Sequence, residues 1–139
     1  KIGNLRPLFE PTLWLIKPYP QGSTLTDNIL INEVGAFNEK ELKELTTLNE
    51  GIEKCSNILK VKTQKTDRGL HPTQKVVELM EILIKLVTKE GQIVLDPFCG
   101  SGTTLVAAKR TGRQYIGFEI NEKYYNNIIK RLKEEKQEI

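Results

Sequence analysis

One stretch of this sequence combines the residue types that nucleoside binding needs. Asp96-Pro97-Phe98-Cys99-Gly100-Ser101-Gly102-Thr103-Thr104 sets two glycines between an acid and a run suited to a helix start. Glycine lets a backbone turn sharply and approach a ligand with no Cβ in the way. A helix start offers unpaired N–H groups that receive an anionic group. A second acid, Glu119, lies 119 − 96 = 23 residues beyond Asp96. That is consistent with the roughly 20-residue spacing at which an acid holds ribose hydroxyls in a βαβ unit. A carboxylate suits the task because it accepts two hydrogen bonds at once.

Other readings of the loop compete. A lone Gly-x-Gly often marks only a tight turn. The dinucleotide pattern Gly-x-Gly-x-x-Gly fails, because Leu105 holds the third glycine position. The phosphate-binding P-loop fails too, since no Gly-Lys-Ser/Thr follows. Loop, acid and strand order together favour a nucleoside site over a bare turn. Asp96 and Glu119 are the hardest to explain structurally, as both are expected at strand ends facing one crevice.

The elements that must position these residues are legible in the second half. Val76, Leu79, Met80, Leu83, Leu86 and Val87 recur at helical spacing, which predicts a helix over 73–88. Val77, Ile82 and Ile84 widen its apolar face, so it is expected to be covered on more than one side. Gln92 to Asp96 reads as a buried parallel strand. A helix from Thr103 to Arg110 follows, with Gly112 as its stop. Gln114 to Glu119 reads as a second strand. Asn121 caps a last helix carrying Tyr124, Tyr125, Ile128, Ile129 and Leu132 on one side, where both tyrosines read as core. The order implies parallel strands joined by a helical crossover, an α/β fold.

The first half is weaker. Residues 8–17 contain a short apolar run that reads as a buried strand, ended by Pro18, Pro20 and Gly22. Asn28 to Asn32 reads as a short strand, Asn38 to Leu48 as a charged helix, and residues 62–70 as an exposed basic loop.

The chain has 139 residues, 38% hydrophobic and 28% charged, the balance of an ordinary globular domain rather than a disordered chain. A net charge of +3 does not by itself establish nucleic-acid binding. No run of about 18 apolar residues predicts a membrane span. Lys1 to Pro7 show no signal-peptide pattern. Cys55 and Cys99 have neither metal-site nor disulfide spacing, so no metal is expected and a reducing cytoplasm is the natural setting.

Two motifs together resemble the N6-adenine and N4-cytosine (amino) DNA methyltransferases. Asp96 to Thr104 is similar to the cofactor motif of that family. His71-Pro72-Thr73-Gln74-Lys75 is similar to its companion, in the subgroup that places this motif ahead of the cofactor loop. Gly117-Phe118-Glu119-Ile120 and Tyr124 extend the match, which covers about residues 70–133. Phe9 to Lys17 resembles a later strand of the catalytic region only loosely.

The resemblance implies a Rossmann-like, three-layer, mostly parallel methyltransferase fold, incomplete in this chain. It implies S-adenosylmethionine as the cofactor. Phe98, Gly100, Ser101, Gly102 and Thr103 would meet its methionine end, with Asp96 accepting from the amino group. Glu119 would take the ribose hydroxyls and Ile120 would pack on adenine. His71, Thr73 and Lys75 would lie near the methionine carboxylate, physically an anion at a helix start aided by a lysine. Each has a plainer reading: Thr73 as a helix cap, His71 as a packed turn residue, Lys75 as a solvated charge. Val76 departs from the family, which often has proline there.

The family's catalytic loop has the form Asp/Asn/Ser-Pro-Pro-aromatic. It accepts the amino hydrogens of an extruded base and stacks on its ring. No such tetrapeptide occurs in this sequence, so no catalytic residue is assigned. The expectation is a C-terminal piece of a longer enzyme, inactive alone, whose N-terminal half or a partner chain supplies that loop; a degenerate, inactive relative is the third reading. Residues 1–18 would end the catalytic region. Residues 19–70 would fill the place of the target-recognition segment, with Lys54, Lys60, Lys62, Lys65 and Arg68 facing phosphates; a solvated connecting segment is an equal reading of them. Residues 71–139 would form the cofactor-binding part. The implied activity is methyl transfer to double-stranded DNA, adenine N6 preferred over cytosine N4, in a restriction-modification or solitary setting. A homodimer is compatible with this. Two alternatives stand beside it: an RNA or small-molecule methyltransferase, and a non-catalytic subunit of a split enzyme.

Overall fold

A computed structural model describes residues 12, 13, 15, 21–24, 26, 27, 30, 61, 71 and 74–135. The chain divides into two compact units, Lys1–Gly35 and Ala36–Ile139.

Little of the first unit is described. Leu13 and Leu15 take no regular structure and are exposed, so at these positions the expected buried strand is not found. The strand expected at 28–32 is also corrected, because Leu30 is helical, as are Thr26 and Asp27. The cause is local. The Asp27 carboxylate accepts from the Thr24 N–H (2.7 Å) and hydroxyl (2.8 Å), and the Asp27 N–H donates back to Thr24 Oγ1 (3.2 Å). That reciprocal pair nucleates a helical turn as a capping box does. The helix expected over 38–48 and the basic loop at 62–70 lie outside the described residues.

Among the described residues the second unit carries, in order, α1 (Val77–Val87), β1 (Ile93–Asp96), α2 (Thr103–Arg110), β2 (Gln114–Gly117) and α3 (Glu122–Glu134). β1 and β2 pair in parallel, with Ile93 opposite Gln114 and Asp96 opposite Gly117. Among the described residues the sheet has these two strands. The strand tips are thus level, and both connections to the following helices leave from one edge.

α2 is the hub. Its Val106, Ala107 and Ala108 are fully buried. They pack with Val77 and Ile84 of α1, and Met80, Val94, Tyr115 and Leu132 close the cluster. Two consecutive alanines remove side-chain bulk, so α1 can sit close against α2. A second cluster joins Cys99, Leu105 and Ile128 and brings the loop onto α3. Polar ties bind the same helices. Arg110 grips Glu135 through two nitrogens (2.7 and 3.2 Å) and reaches Glu81 at 3.3 Å, linking α2 to the end of α3 and to α1. The Glu135 hydrogen bonds raise the Arg110 pKa further above its already high value. Lys109 donates to the Leu132 carbonyl at 2.5 Å. Arg113 is buried and donates to the carbonyls of Thr88 and Thr111, fastening the end of α1 to the turn before β2.

Several expectations need correction. The helix expected from 73 opens at Val77, because Val76 is extended (φ −77°, ψ 130°) and offers no side-chain cap. The helix's buried residues are Val77, Ile82, Ile84 and Leu86, whereas Val87 is exposed. Ile82 and Leu86 form a separate cluster with Val61 and Leu83, so this helix is indeed covered on two sides. β1 is not buried throughout: Ile93 (58%) and Leu95 (61%) are exposed, and only Val94 faces the helices. β2 ends at Gly117, before Phe118 and Glu119. On α3, Tyr125 and Ile129 lie exposed, and the core-facing side is Tyr124, Ile128 and Leu132.

Candidate functional site

The site begins where β1 stops. Asp96 Oδ1 accepts from the Phe98 N–H at 3.0 Å, which turns the chain sharply after the strand. The Cys99 N–H then donates to the Phe118 carbonyl (2.9 Å), and the Phe118 N–H donates to the Asp96 carbonyl (3.0 Å). The loop is thereby stitched along the end of β2. Cys99 is buried beneath it and its thiol lies 3.2 Å from the Asp96 carbonyl. Burial, with Asp96 adding repulsion, pushes that thiol above its ordinary pKa. It packs with Leu105 and Ile128 beneath the loop.

Glu119 closes the arrangement. One carboxylate oxygen accepts from the Gly100 N–H at 2.8 Å, and the other accepts from the Asn121 N–H at 2.8 Å. The acid after β2 and the glycine bend after β1 are therefore in direct contact. A carboxylate oxygen accepts about two hydrogen bonds, so each still has a lone pair for a hydroxyl. Phe98 in the loop is 88% exposed, and Ile120, next in chain to Glu119, is fully so.

Behind the bend the contacts turn inward. Gly102 has φ 75°, a left-handed value that favours glycine, and a β-carbon there would lie 2.9 Å from Ile128. Ser101 and Thr103 are buried, with their hydroxyls 3.0 Å apart. Thr103 Oγ1 donates to the Lys75 carbonyl at 3.4 Å. Arg131 of α3 donates to the Ser101 carbonyl at 3.0 Å and to Thr103 Oγ1 at 3.3 Å.

His71 reaches the same loop. A β-carbon on Gly100 would sit 3.6 Å from its ring, and the ring meets Tyr124 edge-on with centroids 4.6 Å apart. Asp96, Phe98, Gly100, Glu119 and His71 thus gather at one end of the two strands. Ile120 is next in chain to Glu119. Lys75 joins through its backbone carbonyl, and its side chain is exposed. Ser101, Gly102 and Thr103 face the protein interior. Thr73 lies outside the described residues. Among the described residues no cluster of three or more potential metal ligands occurs, and no helix is long and apolar enough to cross a membrane.

Sequence reasoning missed Arg131 and took Tyr124 as plain core. A signal for Arg131 existed. Residues 124, 128 and 131 recur at helical spacing, so a cation occupied a core-facing register.

With this geometry in view, the relatives are informative. The sequence matches the DNA methylase family over residues 2–131. It is 54% identical over 136 residues to the type II methyltransferase M.HindIII of Haemophilus influenzae, covering 98% of this chain and 44% of that protein. It is 42% identical over 101 residues to the type II methyltransferase M2.DpnII of Streptococcus pneumoniae, covering 73% of this chain and 37% of that protein. Among solved structures, the M1.HpyAVI–SAM complex superposes with a TM-score of 0.55 at 34% identity, over 70% of this chain and 43% of the other. The PvuII cytosine-N4-specific DNA methyltransferase shares the fold, with a TM-score of 0.52 at 24% identity over 63% of this chain and 34% of the other. The chain thus spans less than half the length of these relatives.

Proposed function

The chain belongs to the DNA methylase family, and on that premise we propose that it holds S-adenosylmethionine at the Asp96–Gly102 bend for methyl transfer to an exocyclic amino group in DNA. The observation that carries this reading is the 2.8 Å contact between the Gly100 N–H and the Glu119 carboxylate. It brings an acid able to accept ribose hydroxyls to the bend that approaches the rest of the ligand. A structural relative described as a SAM complex supports it, at 34% identity over 70% of this chain.

The residues fit the group by their chemistry. S-adenosylmethionine supplies an electrophilic methyl group on a positively charged sulfur. Asp96 and Glu119 would set two carboxylates on the side of a ligand that carries a sulfonium and an ammonium. Asp96 would accept from the amino group, Glu119 from the ribose, and Ile120 would lie on adenine. Phe98 and Gly100 would line the methionine end, with His71, Thr73 and Lys75 toward its carboxylate. Ser101, Gly102 and Thr103 would shape the bend from within. On this reading residues 71–139 hold the cofactor, residues 19–70 are the candidate for target recognition, and residues 1–18 belong to the catalytic region.

The target assigned is adenine N6 in duplex DNA, within a restriction-modification setting or as a solitary enzyme. The Pro-Pro-aromatic loop that would engage the base is absent from these 139 residues. The chain by itself is therefore expected not to methylate. Labelled methyl transfer to duplex DNA, followed by nucleoside digestion, tests this. A protein of its relatives' length should place label in N6-methyladenine, and the 139-residue chain should place none. Label in N4-methylcytosine would overturn the adenine assignment alone. Cofactor binding with no DNA labelling by the longer protein would overturn DNA as the substrate.

A further inference from the structure

Arg131 reaches the glycine bend through the buried residues Ser101 and Thr103, and it binds the bend at two points. Its Nη1 donates to the Ser101 carbonyl (3.0 Å) and to Thr103 Oγ1 (3.3 Å). These residues flank Gly102, the left-handed residue that ends the bend and starts α2. One helical turn earlier, Ile128 fills the space under Gly102 so closely that a β-carbon has no room. Two neighbouring side chains of α3 therefore hold the bend from beneath, one by shape and one by hydrogen bonds.

The hydroxyls extend these contacts. Thr103 Oγ1 lies 3.4 Å from the Lys75 carbonyl and 3.0 Å from Ser101 Oγ, where either hydroxyl can be the donor. Thr103 Oγ1 also accepts from Arg131. The guanidinium thus ties three pieces together: α3, the bend, and the segment that carries His71 and Lys75. Ser101 and Thr103 are each 4% exposed, so water cannot replace these contacts cheaply.

We infer that Arg131 is a positioning residue for the cofactor: it sets the Gly100–Gly102 backbone and the Lys75 segment in the shape that S-adenosylmethionine binds, without touching the ligand. This rests on the cofactor reading above. Arg131→Met keeps the length and apolar stem and removes the donors. Arg131→Lys keeps the charge and can restore one of the two contacts. Thr103→Val removes the shared hydroxyl at similar volume and serves if Arg131→Met does not fold.

Calorimetry with S-adenosylmethionine on the full-length protein, well below each variant's melting temperature, is the test. Arg131→Met should weaken binding by about tenfold, or about 1.4 kcal/mol. Arg131→Lys should recover part of that, and Thr103→Val added to Arg131→Met should cost less than the sum of the two. The KM for S-adenosylmethionine should rise while the KM for DNA stays within twofold. Binding within twofold of the parent in a folded Arg131→Met or Thr103→Val overturns the inference. So does an equal loss of DNA and cofactor affinity with no rescue by lysine. A parent protein that does not bind S-adenosylmethionine at all would instead remove the cofactor reading on which the inference stands.

Discussion

At Gly117 a β-carbon would collide with the Cys99 sulfur and lie 2.6 Å from a Leu105 methyl. The bend lies so flat on the tip of β2 that the strand can carry no side chain there. Close packing of this kind answers badly to added volume, at a cost of about 1–3 kcal/mol. Gly117→Ala should lose stability in that range by denaturant titration. Adding Cys99→Ala removes one of the two colliding groups. The double variant should therefore lose less than the two single losses summed. Glu119 matters at the same scale in another way. Its two oxygens already hold the N–H groups of Gly100 and Asn121, so the acid shapes the site it is proposed to serve.

At the scale of elements, α3 governs the loop although it supplies none of the residues first assigned to the cofactor. Its start is fixed by Asn121, whose side chain accepts from the N–H groups of Lys123 (3.0 Å) and Tyr124 (3.3 Å). Asn121→Ala should cost about 1 kcal/mol, the usual loss of a good cap, read as a lower melting temperature. Much of this layer was legible. Both strands, the helix over 103–110 and the Asn121 cap follow from period and capping chemistry, and Gly112 takes the expected left-handed turn at φ 72°. What was not legible depends on neighbours. The continuous apolar run Ile93-Val94-Leu95 reads as buried on both faces and does not reveal that one lies open. On α1 the expected two-sided cover is found, Val77 and Ile84 in one cluster and Ile82 and Leu86 in another, whereas Val87 of the expected stripe is exposed. Arg131 stands in a core-facing register, but its partner, the Ser101 carbonyl, lies 30 residues away in sequence.

At the scale of the whole molecule, the open sheet face stands out. Ile93, Leu95, Ile116 and Phe118 are all exposed, and Leu95 pairs with Ile116 across the strands. Parallel sheets are ordinarily covered on both faces. The chain corresponds to 44% of the length of its Haemophilus relative, so in proteins of that kind more polypeptide exists to cover such a face. The 139-residue chain should therefore bind more of a hydrophobic dye per molecule than a protein of its relatives' length. Leu95→Ser with Ile116→Ser should reduce dye binding by the short chain and destabilise the long one. Equal dye binding by both would show that the face is not an internal one.

Titration calorimetry with S-adenosylmethionine, comparing the full-length parent with Asp96→Ala and Glu119→Ala, tests the cofactor site most directly. The prediction is measurable binding by the parent and a loss of about tenfold or more in each variant, with the larger loss for Glu119→Ala, which also frees the Gly100 N–H. Affinity unchanged in both variants, with their folds intact, would contradict the account.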